Sequence, residues 1–154
     1  MRLRLRRPRD LAIALRDLAR RRPREAADYL DTHEEEWSAL AGADPHDAAD
    51  ILEAMGEEHA ADLIADLSPG YAADVLEEMH EQAAAEVMEE LEVVDAAAAM
   101  SALAPEEAAD IAGHLEPGTR EAIFDAMTDD QVEEIRDILR YPPDSAGGLM
   151  TPEP

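Results

Sequence analysis

Carboxylates are the most abundant groups in this sequence that could take part in chemistry. Asp and Glu number 38 against 13 Lys and Arg, and the chain also has five His and no Cys. Carboxylate oxygens are the ligands that hard divalent cations such as Mg2+ prefer in proteins. A chain without Cys forms no disulfide and offers no thiolate for metal binding or nucleophilic catalysis. The acidic residues are therefore expected to attract cations, whether or not they bind one at a specific site.

The patterns of other reactive residues do not match known catalytic motifs. The histidines never form the His-Glu-x-x-His spacing of a zinc protease; they stand at His33, His46, His59, His80 and His114. Ser145 follows an Asp and precedes Ala-Gly-Gly, but this stretch lacks Gly-x-Ser-x-Gly and no strand is predicted before it. We interpret Ser145 as a polar linker residue. The sequence predicts no enzyme, since it has no recognisable nucleophile, base or phosphate-binding loop.

The charge of the chain is divided unevenly. Residues 1–24 contain ten Arg and two Asp, a net charge of +8, whereas residues 25–154 contain three Arg and 36 acidic residues, a net charge of −33. Such a body repels nucleic-acid phosphates and attracts cations, so we expect no binding to nucleic acid. The acidity has two open interpretations, a general adaptation to a salty cytoplasm and specific binding of divalent cations. The basic stretch Arg2 to Arg9 is a solvated tail, or a contact for anionic lipid or another subunit.

A repeat of twelve residues organises most of the chain. Starting at Asp44, eight units follow one another without a gap to Leu139. Positions 5, 8, 9 and 12 of a unit are mostly apolar, which is the i, i+3, i+4, i+7 spacing of one helical face. Each unit is therefore predicted to form one short amphipathic helix. Position 12 is always Leu or Met, at Met55, Leu67, Met79, Leu91, Leu103, Leu115, Met127 and Leu139.

Signals for helix starts recur at the first two positions of the units. Pro at position 2 suits the first helical turn, where its missing N–H has no intrahelical partner. Asp, Ser or Thr at position 1 can serve as an N-cap. The prolines are Pro45, Pro69, Pro105 and Pro117, and the predicted N-caps are Asp44, Ser68 and Thr128. Ala104 and Glu116 at position 1 are expected to start their helices less well.

Helices this short are marginal in water on their own, so they must pack together. Connections of about three residues predict that successive helices run roughly antiparallel and wind into a solenoid. Further helices are predicted at residues 11–22, with Asp10 as N-cap and Pro23 ending the helix, at 24–33 and at 34–41. The expected fold is all-α, with about ten short helices. No apolar stretch approaches the roughly 20 residues of a membrane span.

The stretch from Tyr141 to Pro152 contains Ala-Gly-Gly-Leu-Met-Thr-Pro. It resembles the segment that joins the N domain to the paired CBS domains in MgtE-type magnesium transporters. The repeated Pro-x-x-Ala-Ala-Asp-Ile-Leu-Glu units also resemble that N domain, so the resemblance covers residues 24–153. The chain departs from the family at Pro154, where an aromatic or β-branched residue usually leads into the first CBS strand. A truncated form and a natural stand-alone relative are both compatible with this departure.

The resemblance implies a division into three segments: a basic arm and first helix at 1–23, an MgtE N-type helical repeat domain at 24–140, and a linker to a CBS domain pair at 141–154. In the family, the N domain is a right-handed superhelix, and intracellular Mg2+ bridges its acidic surface to the CBS pair to hold the channel closed. The implied role is regulatory Mg2+ sensing in the cytoplasm, at the inner face of the cell membrane. The implied partners are the CBS pair, the membrane domain and, through the whole transporter, a second copy.

Alignment with the family's repeats implies interface carboxylates for Mg2+ at Asp74, Glu106, Glu107 and Asp110. Glu106 and Asp110 are one helical turn apart, so their side chains could converge on one hydrated ion. Position 7, which holds Asp74 and Asp110, is acidic in most units, so each of the four is alternatively an ordinary solvated carboxylate. The alternative function is a helical-repeat scaffold for protein interaction without a role in metal sensing.

Overall fold

The computed structural model of the protein describes residues 8–140. Within this range the chain forms eleven α-helices and no strand, which confirms the all-α prediction with one helix more than the ten or so expected. The first three are α1 (Pro8–Arg21), α2 (Pro23–Thr32) and α3 (Glu34–Ala43). The eight repeat units form α4 (Pro45–Met55), α5 (Glu57–Ala65), α6 (Pro69–Glu78), α7 (Glu81–Glu90), α8 (Val93–Ala102), α9 (Pro105–Ala112), α10 (Pro117–Asp125) and α11 (Asp129–Arg140).

Helix starts follow the predicted chemistry with one exception. Pro is the first residue of four of the repeat helices, as expected. The three predicted N-caps each accept a backbone N–H three residues later, at 3.2 Å for Asp44, 3.3 Å for Ser68 and 3.4 Å for Thr128. The cap assigned to Asp10 is wrong, because α1 begins two residues earlier at Pro8 and Asp10 lies inside its first turn. A proline at the first helical position accounts for this earlier start.

Helices two apart in the chain pack side by side, which arranges the helices in two rows. One row runs through α4, α6, α8 and α10, and α1 packs against α4. The other row runs through α5, α7, α9 and α11, and α2 packs against α5. Helix α3 contacts α4 and α6. Each unit thus buries its apolar face against neighbouring units, as in a solenoid. The right-handed twist and the antiparallel direction of successive helices remain predictions.

Pairs of alanines line the contacts between the helices. Positions 5 and 6 are both Ala in the first six units, and every one of these residues is at most 4% exposed. Position 6 was not among the predicted core positions; its small side chain packs where two helices come close together. Trp37 anchors the upstream helices, because its buried Nε1–H donates to the Leu63 carbonyl at 2.9 Å and joins α3 to α5.

The last two helices of the described range are held together partly by polar contacts. Arg120 and Glu121 replace the alanine pair in α10. Arg136 on α11 donates to both carboxylate oxygens of Glu121, at 2.7 and 3.2 Å. The Arg136 guanidinium also lies 4.9 Å from the centre of the Phe124 ring. A bidentate ion pair and a cation–π contact therefore supplement the apolar packing at this end of the rows.

Two further predictions concern membrane spans and the segments at the two ends of the chain. The longest helix within residues 8–140 has 14 residues, and none there has both the length and the apolar character that crossing a bilayer requires. The stretch from Tyr141 to Pro152, with Ser145, lies outside the described residues, as does most of the basic segment Arg2 to Arg9. The proposed boundaries at residues 23 and 140 stay predictions.

Candidate cation-binding surface

The four predicted ligands lie on two helices whose apolar faces are buried in the stack. On α6, the buried residues are Ala72, Ala73, Val75 and Leu76. On α9, they are Ala108, Ala109, Ile111 and Ala112. Helical periodicity then places the acidic residues between them toward solvent. Asp74, Glu106 and Asp110 are exposed, whereas Glu107 is half-buried.

Glu107 lies among carboxylates of three helices. Burial raises the pKa of Glu107 first, and negative neighbours raise it further, in the order Glu77, Asp110, Glu81 and Glu106. Two of these neighbours, on α6 and α7, come from other parts of the repeat. The structure therefore brings Glu107, Glu106 and Asp110 into one acidic surface with residues of α6 and α7.

Glu77 connects the remaining predicted residue to this surface. Burial is the first cause that raises the pKa of Glu77, and the charges of Asp74 and Glu78 follow. Since the charge of Asp74 acts on Glu77 and the charge of Glu77 acts on Glu107, Glu77 couples Asp74 electrostatically to the carboxylates of α9. Sequence reasoning missed Glu77. Its position 10 in the unit is also Glu in two other units, but nothing in a single unit indicates that this residue meets a helix three units later.

One histidine lies at the edge of the acidic surface. His114 Nε2, just after α9, is 3.3 Å from Glu81 Oε1 at the start of α7. Both side chains are about half exposed, at 41% and 52%, so solvent screens this ion pair. We use the name acidic surface below for the set Asp74, Glu77, Glu106, Glu107 and Asp110.

The acidic surface does not form a closed metal cage. In residues 8–140, no three His, Asp or Glu side chains are placed together so that they could hold a metal ion. Mg2+ keeps several of its waters and is often bound by only one or two carboxylates. The acidic surface therefore has the right kind of donor oxygen for Mg2+, but a tightly held ion would need further ligands from another domain or another chain.

A second acidic group lies at the other end of the stack and was not predicted. Four aspartates and His59 line a cavity of about 350 Å3 between α2 and α5; the aspartates are Asp28, Asp31, Asp62 and Asp66. Burial raises the pKa of Asp66 first, followed by the charges of Asp31 and Glu34 and a hydrogen bond with Asp31. The twelve-residue register could not reveal this cavity, because α2 lies upstream of the first unit.

Comparison with known proteins identifies the fold and the family. The crystal structure of the soluble part of a magnesium transporter superposes with a TM-score of 0.66 at 16% sequence identity. The superposition covers 93% of this chain and 53% of that one, so the chain spans about half the length of the matched structure. A search of curated protein sequences finds no match.

A family model, the MgtE intracellular N domain, matches the sequence twice, at residues 6–92 and 43–144. The overlap of the two matches fits the internal repeat, since their starting points differ by close to three twelve-residue units. Together they span nearly the whole chain, including every helix that carries the acidic surface. The chain therefore belongs to the MgtE intracellular N domain family.

Proposed function

We propose that the chain is the regulatory domain of a magnesium transporter and that Mg2+ bound at the acidic surface stabilises the closed state of that transporter. Family membership supports the transporter context. The observation that carries the Mg2+ role is the crowding of carboxylates from α6, α7 and α9. Burial is the first cause that raises the pKa values of Glu77 and Glu107, and the charges of these neighbours raise them further. Carboxylates that repel one another gain from a divalent cation placed between or beside them.

An open acidic surface suits an ion that bridges two domains. A cation that contacts both surfaces binds more tightly when the surfaces are together, and so it stabilises the assembled state. Binding through few protein ligands is weak, which allows a sensor to release its ion when the intracellular concentration falls. The proposed partners are a CBS domain pair, the membrane domain and a second copy within the transporter. The domain would then act in the cytoplasm, at the inner face of the membrane, and would regulate transport without catalysing a reaction.

The test is a flux measurement in a magnesium transporter that carries this N domain. The variant replaces all five residues of the acidic surface with amides: Asp74→Asn, Glu77→Gln, Glu106→Gln, Glu107→Gln and Asp110→Asn. We expect the Mg2+ concentration that closes the transporter to rise by at least about tenfold, because the bridging ion loses its ligands. Unchanged gating would remove the acidic surface from the sensing mechanism.

A control that removes four negative charges, against five in the test variant, separates specific ligands from total charge. Four exposed glutamates away from the acidic surface can be changed to Gln together: Glu35, Glu58, Glu90 and Glu133. These changes remove a similar amount of negative charge, so we expect them to shift gating far less than the five changes above. An equal shift in both variants would indicate that gating by Mg2+ depends only on the total negative charge of the domain.

A protein-interaction scaffold is the second candidate function. The observation in its favour is an exposed apolar pair at the start of α8, where Val93 is 43% and Val94 is 68% exposed. Scattering and calorimetry of the chain mixed with a CBS pair, with and without Mg2+, distinguish the two functions. Association that strengthens with Mg2+ supports the sensor, whereas association that is independent of Mg2+ and is lost in Val94→Asp supports the scaffold.

A further inference from the structure

Two histidine–carboxylate contacts join α4 to the connection between α6 and α7. They run in opposite directions: in one the histidine is on α4, and in the other the carboxylate is. The contacts are His46 Nδ1 to Glu78 Oε1 at 3.4 Å and His80 Nδ1 to Glu53 Oε2 at 2.9 Å. His46 and Glu53 are two turns apart on α4, so both ends of one helical face are tied to residues 78–80. We name these two contacts the α4 clamp.

The contact between Glu53 and His80 is the stronger one. Glu53 also accepts the backbone N–H of His80 at 2.8 Å, so the carboxylate binds both the ring and the amide of the residue that precedes α7. The hydrogen bond to Glu53 is the main cause that raises the pKa of His80, and the charges of Glu53 and Asp50 add to it. The Glu53 side chain is only 23% exposed, which limits screening by solvent on the acceptor side.

The groups around both histidines are almost all acidic. His46 lies 3.6 Å from Asp50, which in turn is 3.6 Å from Arg16 on α1. The pKa of Asp47, the next residue after His46, is raised first by burial, then by Asp44 and by the charge of Asp50. Around His80, the charged residues that line the neighbouring cavity of about 280 Å3 are Glu53, Glu57 and Glu86. His114, just after α9, contacts Glu81, the first residue of α7, which directly follows His80. A proton added to His80 therefore arrives in negative surroundings.

We propose that the α4 clamp is a proton-sensitive joint, in which protonation of His80 tightens the hold of Glu53, and with it α4, on the connection between α6 and α7. Neutral imidazole still donates one hydrogen bond to a carboxylate, but the protonated ring makes a charge-assisted bond that is about twice as strong. Histidine is the side chain whose charge changes between about pH 5 and 8. A single exposed ion pair contributes little, but the Glu53 carboxylate also accepts the backbone N–H of His80, so a stronger bond to the ring strengthens a contact that already holds this connection.

Amide hydrogen exchange of the 154-residue chain tests the proposal. The amides of Met79 and Ala84 report on the joint, since they donate to the carbonyls of Leu76 and His80 at 3.2 and 2.8 Å. Exchange is measured at about pH 6 and about pH 8 without divalent cations and corrected for intrinsic rates. In the wild-type chain we expect these amides to gain at least about threefold in protection at the lower pH, relative to the Val132 amide in α11.

The double variant His46→Gln/His80→Asn keeps neutral hydrogen-bonding groups in place of the rings but cannot titrate. We expect it to lose the pH-dependent gain at Met79 and Ala84, and the control His59→Gln to retain it. The proposal is overturned if the double variant keeps the full gain or if the wild-type chain shows none. The absence of divalent cations makes this outcome independent of the proposed Mg2+ role.

A second measurement covers the case in which the double variant folds poorly. Glu53→Gln leaves every histidine in place but removes the charged acceptor of His80. An NMR titration of the His80 ring should then show a lower midpoint than in the wild-type chain, because the hydrogen bond to a carboxylate is the main cause of the raised pKa. An unchanged midpoint would show that the Glu53 carboxylate does not stabilise the protonated His80 ring, and would overturn the proposal.

Discussion

Glu89 near the end of α7 accepts a hydrogen bond from the backbone amide of Glu116, the residue that precedes α10, at a distance of 2.8 Å. The same spacing of 27 residues separates Glu53 from His80 before α7. Both glutamates stand at position 10 of a unit, and both of their partners stand at position 1 without a capping bond from their own side chain. A carboxylate from three units earlier therefore binds the N–H of the N-cap residue, the role of the Glu in a capping box, whereas Asp44, Ser68 and Thr128 each accept the N–H three residues later.

Glu89→Ala should destabilise the chain by about 1–2 kcal/mol, because it leaves the Glu116 amide without its charged acceptor and removes a cap. The hydroxyl of Thr119 loses the same acceptor, which lies 2.5 Å away. Urea unfolding followed by circular dichroism gives the measurement. Glu90→Ala changes the adjacent, exposed glutamate and should have an effect within about 0.5 kcal/mol. Equal destabilisation by the two variants would contradict a capping role for Glu89.

Gly56→Ala should also destabilise the chain, by about 1–3 kcal/mol, for a backbone reason. Gly56 has φ 97° and ψ 158°, a conformation that is nearly restricted to glycine. A Cβ at this position would meet no atom within 4 Å, so the cost is one of torsion and not of collision. Gly70 in α6 has similar open space but helical geometry, and Gly70→Ala should be neutral or stabilising by up to about 1 kcal/mol. The two variants can be compared by thermal unfolding.

The stability of the chain should rise as the pH falls from about 6 to about 4.5, toward the ordinary pKa values of carboxyl groups, opposite to ordinary acid denaturation. Four carboxylates have raised pKa values, chiefly through burial: Asp47, Asp66, Glu77 and Glu107. A raised pKa means that the folded state holds protons that the unfolded state has released. The resulting stability is full below the unfolded pKa and is lost as the pH rises through the folded pKa.

His80 contributes in the same direction at higher pH, and Glu121 opposes the trend. The hydrogen bond from Arg136 lowers the pKa of Glu121, so its contribution is lost as the pH falls through its folded value. Urea midpoints measured across this pH range in constant salt test the balance. The variant Asp66→Asn/Glu77→Gln/Glu107→Gln should flatten the slope, and a wild-type midpoint that falls toward about pH 4.5 would contradict the prediction.

Salt should stabilise the chain strongly, since residues 25–154 carry a net charge of −33. Raising NaCl from about 0.05 to about 0.5 M shortens the screening length and should raise the melting temperature by about 5 °C or more. MgCl2 at matched ionic strength should raise it further if the acidic surface binds the ion, and the five amide substitutions should abolish only that extra part. Differential scanning calorimetry measures both effects. A melting temperature that does not respond to NaCl would show that the carboxylates are already spaced widely enough to avoid repulsion.

The twelve-residue repeat allowed the helical architecture to be predicted because its signals are local. Pro at position 2 and a capping side chain at position 1 act within one turn of the helix that they start, and the five repeat helices whose units carry such a residue begin where it indicates. Asp10 was assigned wrongly because Pro8, two residues earlier, is also compatible with the first turn. The buried alanine at position 6 was missed because alanine is compatible with either face of a helix until its neighbours are known.

The acidic surface was predicted only in part, for a different reason. Asp74, Glu106, Glu107 and Asp110 could be chosen through the family resemblance, and the pKa of Glu107 shows that three of them share one neighbourhood. Glu77 depends on contacts between units that are far apart in the sequence. The cavity around Asp66 likewise depends on how α2 meets α5. Such contacts depend on how each helix is shifted and rotated relative to the next helix in its row, which the composition of a single unit does not determine.

Within residues 8–140 the main contacts join helices that are neighbours or two or three places apart in the chain, so this part of the molecule is close to a one-dimensional lattice. Stress applied at one end should therefore pass from unit to unit, and local melting should remove helices from an end while the remainder stays folded. Such an array bends and stretches by small changes distributed over many identical alanine contacts. Pulling a single molecule from both ends should produce a series of small unfolding steps of similar size, spaced by multiples of the repeat, and not one large cooperative rupture.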